Sequence, residues 1–134
     1  MKRKVLAGLL TVVMAAGFVA VPGMQTEVKA DDKKLVGVAM PTKDLQRWNQ
    51  DGENMKKSLE DAGYEVDLQY ASNEVATQVS QVENMISNGC DILVIASIDG
   101  SSLGEPLSQA KEAGIPVIAY DRLLMESDAA VSYT

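Results

Sequence analysis

The sequence predicts an α/β fold, a doubly wound parallel sheet with helices on both faces. Three observations point there. Gly63, Gly89 and Gly114 each close a helical pattern, and they recur about every twenty-six residues. After each comes a short link and then a strand-like run, alternating at 64–71 and mostly apolar after Gly89 and Gly114. The run at 91–97 is apolar at nearly every position, as a strand covered on both faces should be. A helix–glycine–link–strand unit that repeats in this way implies parallel strands and right-handed crossovers.

Each element follows in order. Leu35–Met40 reads as a buried strand, stopped by Pro41. From about Leu45 the period becomes helical: Trp48, Met55, Leu59 and Ala62 share one face, and Gly63 ends the helix. Residues 64–71 alternate and read as a second strand. The next helix is expected to begin near Asn73, a good capping residue, with Val75, Val79, Val82 and Ile86 facing inward. Residues 91–97 form the third strand. A third helix is expected from Ser101 or Ser102 to Ala113, with Leu103, Leu107 and Ala110 inward and Pro106 in its first turn, where proline is tolerated. Residues 116–121 form the fourth strand, and 131–134 look like the start of a fifth.

Residues 1–30 read as a cleavable secretory signal, leaving 31–134 as the mature domain. Lys2, Arg3 and Lys4 precede an apolar run of about seventeen residues, close to the lower limit for crossing a bilayer. Pro22, Gly23 and a Val28-x-Ala30 site then favour cleavage before Asp31 over a membrane anchor. No cysteine lies near that site, so a lipid anchor is not expected. The protein is expected in the periplasm or outside the cell.

The whole chain carries −7, and residues 1–30 carry +3, so the rest carries about −10. Such an acidic domain is poorly suited to nucleic acid or to an anionic membrane surface. A single cysteine, Cys90, forms no internal disulfide, so an apolar core must hold the domain. The sequence has no histidine. That removes the commonest general base and the commonest transition-metal ligand together. No metal site is expected, and no enzymatic activity. No glycine-rich dinucleotide motif or phosphate-binding loop follows a strand, so no cofactor is expected either.

Ligands of doubly wound sheets bind beyond the carboxyl ends of the strands, near the switch in strand order. Four loops qualify: 41–48, 72–74, 97–102 and 121–127. In the last, Asp121 and Arg122 stand side by side and could accept from and donate to paired hydroxyls; the alternative is a surface ion pair or a cap. In the first, Arg47 could donate to ligand oxygens, and Trp48 could stack on the apolar face of a pyranose or simply begin the core face of the helix. Gly100-Ser101-Ser102-Leu103-Gly104 has the spacing of a nucleophile elbow, but its serine lacks a histidine partner, so a helix cap is the expected role.

Six segments in order resemble the sugar-binding receptors of bacterial ABC importers, the type I periplasmic binding proteins. They are Met40-Pro-Thr-Lys43, Gln46-Arg-Trp48, Leu68-Gln-Tyr-Ala71, the Gln78 to Met85 stretch, Ile95-Ala-Ser-Ile-Asp-Gly100 and Val117-Ile-Ala-Tyr-Asp-Arg-Leu123. The multiple-sugar and D-xylose-binding members are the most similar. The resemblance implies two α/β lobes joined by a hinge and closing on one monosaccharide, with membrane permease subunits as partners. It implies that Arg47, Asp121 and Arg122 contact the sugar, with Lys43 in the same loop as Arg47. It also implies that this chain supplies an N-terminal lobe and lacks the C-terminal one. A sensory role, presenting sugar to a kinase or chemoreceptor, fits the same residues; a sugar-acting enzyme fits them less well.

Overall fold

The computed structural model describes residues 33–125 and 127–134; the expected export signal lies outside the described residues. Five strands, β1 (Leu35–Met40), β2 (Glu65–Tyr70), β3 (Ile92–Ile95), β4 (Val117–Ala119) and β5 (Ala130–Tyr133), form one sheet in the order β2-β1-β3-β4-β5. Every pairing is parallel. Helices α1 (Gln46–Asp61), α2 (Val75–Ser87) and α3 (Gly104–Glu112) make the first three crossovers.

The strand alternation sorts the core into two layers. Val36, Val38, Met40, Val94 and Ala96 face α1 and pack with Trp48. Ala39, Leu93, Ile95, Val117 and Ala119 face the other way, against Val82 and Met85 of α2 and Leu107 and Ala110 of α3. Because α1 lies on one face and α2 and α3 on the other, the winding direction reverses between β1 and β3. Gly37 lets α2 close onto the sheet: a Cβ there would stand 2.8 Å from both Leu93 Cδ2 and Met85 Sδ.

Gly63, Gly89 and Gly114 adopt φ of +95°, +82° and +72°, the left-handed conformation expected of closing glycines. Three local expectations are corrected. Helix α2 starts at Val75, and Asn73 is not its cap. Ser72 and Asn73 are both left-handed, at φ 53° and 60°, and the Asn73 N–H donates to Pro41 O at 2.8 Å. Asparagine tolerates that conformation, and here the turn wins over the cap. Helix α3 begins at Gly104, because Asp99 holds both serines in a turn ahead of it: Ser101 Oγ donates to Asp99 Oδ1 at 2.7 Å and Ser102 Oγ to Asp99 O at 2.8 Å. Ala62 is exposed at the helix end instead of joining the apolar face.

Candidate functional site at the carboxyl ends of the strands

Strand β1 ends at Met40 and α1 begins six residues later, which places Arg47 and Trp48 in the first turn of α1 above the switch point. Strand β4 ends at Ala119, and the chain turns sharply at Asp121, whose φ is 61°. That turn is tied to the end of β5: Asp121 N–H donates to Thr134 O at 2.5 Å and Tyr133 Oη to Asp121 O at 3.0 Å.

These two turns bring Arg47, Trp48, Asp121 and Arg122 together. Arg47 Nη2 donates to Asp121 Oδ1, and its Nε lies 3.6 Å from Asp51 Oδ2. The hydrogen bond and charge of Asp121 hold the Arg47 pKa above its ordinary value. Tyr120 Oη donates to Asp51 Oδ2 at 3.2 Å, so Asp51 is shared between Arg47 and the residue before Asp121. Burial first, and then the Asp51 charge, raise the Tyr120 pKa.

Arg122 Nη1 donates to Ser97 O at 3.0 Å, with Ile98 O at 3.4 Å. Both guanidinium groups lie over the Trp48 indole, 4.8 Å from its centroid for Arg47 and 5.2 Å for Arg122. Trp48 itself is 3 % exposed and belongs to the α1-side core. It is a floor under the two arginines, while the Arg47 side chain is 59 % exposed above it. Lys43 is exposed and stands elsewhere: its Nζ lies 5.5 Å from the Tyr70 ring centroid, toward the β2 edge.

The result is a shelf that presents guanidinium N–H donors beside a carboxylate acceptor. Such a shelf can hydrogen-bond a polyhydroxylated ligand in both directions. Among the described residues no group of three or more His, Cys, Asp or Glu side chains could hold a metal ion. Surface hollows lined by Lys33, Tyr64 and Val66, and by Lys111, Ile115 and Pro116, lie at the amino ends of the strands, opposite this shelf.

The model of the periplasmic binding protein domain matches residues 36–134. The chain belongs to the periplasmic binding protein family. The multiple sugar-binding periplasmic receptor ChvE of Rhizobium radiobacter is 50% identical over 113 residues, covering 84% of this chain and 32% of that protein. The D-xylose-binding periplasmic protein of Escherichia coli K12 is 39% identical over 104 residues, covering 77% of this chain and 32% of that protein. An ABC transporter solute binding protein from Clostridium phytofermentans, solved with bound β-D-glucose, superposes with a TM-score of 0.74 at 78% identity, over 75% of this chain and 31% of that one. The chain thus spans about a third of the length of the relatives it matches.

Sequence reasoning missed Asp51, Tyr120 and Gln78 in this binding-protein chain. Asp51 and Tyr120 carried no distinguishing signal, since each is a common type at a common position. Gln78 did carry one. It falls three residues after Val75 and four before Val82, a polar side chain on the inward stripe of α2, and it is 1 % exposed.

Proposed function

We propose that this chain is the sugar-contacting N-terminal lobe of an exported solute receptor that captures a monosaccharide for uptake by an ABC importer. The observation that carries the reading is the Arg47–Asp121–Arg122 cluster on the shelf beyond β1, β3 and β4. In it, Asp121 accepts from sugar hydroxyls while Arg47 and Arg122 donate to ring and hydroxyl oxygens. Trp48 supports both guanidinium groups from below and, being buried, acts on the ligand only through them. Lys43, over Tyr70 toward the β2 edge, lies outside this cluster and is given no direct contact with the sugar. The ligand is a neutral aldose such as xylose, glucose, galactose or arabinose, held without any chemical step. The names and bound sugar of the relatives support this class. The partners are the permease subunits, and the site of action is outside the cytoplasmic membrane.

The test is a chimera carrying residues 36–134 of this chain in place of the matching segment of the Clostridium phytofermentans protein. Isothermal titration with the four sugars should show saturable binding of at least one, with a Kd of about 10 μM or tighter. A folded chimera that binds none of them rules the reading out.

A further inference from the structure

Strand β1 is stopped by Pro41, and the stop leaves a gap beside β3. The Ala96 N–H donates to Ala39 O at 2.9 Å. In a parallel ladder the next bond would run from the N–H of residue 41 to Ala96 O. Proline has no N–H to give. The Gln78 carboxamide fills the gap: Nε2 donates to Ala96 O at 3.0 Å, and Oε1 accepts from the Ile98 N–H at 2.9 Å. One donor and one acceptor side by side reproduce the pattern of a strand backbone. Gln78 therefore stands in for the missing length of β1.

A second replacement occurs on the other side of β3. There the Leu93 N–H goes to Pro116 O and the Tyr120 N–H to Ile95 O. Continued, that alternation would send the Arg122 N–H to Ser97 O. The left-handed turn at Asp121 diverts it to Tyr120 O, at 2.7 Å. The Arg122 side chain takes the vacated place, with Nη1 on Ser97 O at 3.0 Å. Residues 96–98 are thus held by a side chain from each flank.

We infer that Gln78 is a positioning residue for Arg122: it fixes the Ala96–Ile98 backbone whose Ser97 carbonyl seats the guanidinium. Its consequence for sugar binding rests on the proposed role of Arg122. Gln78 acts through that arginine and not through the ligand.

Two variants in the chimera test it. Gln78→Met keeps the length and removes both hydrogen bonds. In it the Ile98 amide should exchange about tenfold faster, and the Kd for sugar should rise about tenfold. In an Arg122→Ala background the same substitution should change Kd by less than about twofold, because the arginine it serves is gone. An equal loss in both backgrounds, or unchanged exchange and affinity, overturns the inference. If Gln78→Met does not fold, Gln78→Glu, which retains the acceptor for Ile98 but loses the amide donor to Ala96, carries the same comparison. Failure of the unsubstituted chimera to bind sugar would instead overturn the proposed function. The side-chain NMR signals of Arg122 then decide the seating alone: they should broaden in Gln78→Met, and unchanged signals refute it.

Discussion

Arg47 and Asp121 form an ion pair across seventy-four residues of chain. One comes from the first turn of α1 and the other from the turn after β4, with β3 lying between their strands in the sheet. The donor–acceptor pair therefore exists only once β1, β3 and β4 are side by side. Both side chains remain partly in water, at 59 % and 29 % exposure, so the pair adds little to stability. Asp121→Asn keeps the shape and the tolerance for a left-handed turn while removing the charge. Sugar affinity of the chimera should fall about tenfold by titration, with a melting temperature within about 2 °C of the parent.

Arg122→Ala separates binding from scaffolding. The side chain is exposed and rests on backbone carbonyls and the Trp48 ring. Loss of its donors should weaken sugar binding by more than about tenfold, while the unliganded melting temperature stays nearly unchanged. A parallel fall of both would make Arg122 structural.

The chain on its own should bind sugar very weakly. A shelf on one lobe leaves much of a ligand's surface in water, and water competes for every donor and acceptor. Titration of the isolated chain with the same four sugars should give Kd values above about 1 mM. Submicromolar binding would contradict the proposal that a second lobe completes the site.

Much of this architecture was legible in the sequence. The closing glycines and the 91–97 apolar run gave the winding, because backbone conformation and burial leave local marks. That Arg47, Asp121 and Arg122 lie together beyond the strand ends follows from their places in the segments after β1 and β4. Their partners were not legible. That Arg122 sits on Ser97 O, or that Asp51 bonds Tyr120, depends on which loops become neighbours, and no periodicity encodes that. Strand ends were overestimated for a related reason: β3 loses its β1 partner at Pro41, so its apolar run outlasts its pairing. Asn73 departs from the expected cap because its residue type suits a turn as well.

Gly52 tests the α1-side packing. A Cβ there would lie 2.3 Å from Tyr70 Oη and 3.1 Å from its Cζ. Gly52→Ala should destabilise the folded chain by about 1–3 kcal/mol in urea unfolding, despite the better helix propensity of alanine. Adding Tyr70→Phe, which removes the clashing oxygen, should recover most of the loss; no recovery would place the strain elsewhere.

Cys90 is buried and its thiol pKa is pushed up to about 11, by desolvation first and then by Asp67 and Asp91. The thiolate is therefore scarce at pH 8, and iodoacetamide should label the folded chain at least about 100-fold more slowly than the urea-unfolded chain. The folded value lies above the ordinary 9.0. The folded state thus holds its proton longer, and this site's contribution to stability is intact below pH 9 and lost as pH rises through 11. A thiol that labels equally fast in both states would show that Cys90 is not shielded.

The left-handed turn at Asp121 also bears on how such a receptor can change its ligand. A φ of 61° is comfortable for glycine, asparagine and aspartate and costly for branched or bulky side chains. Of those three, only aspartate supplies a charged acceptor. Position 121 thus has few substitutions that keep both the turn and the charge. If the proposed function holds, retuning toward a different sugar would proceed more readily through Arg47, whose helical backbone admits a wider choice of side chain.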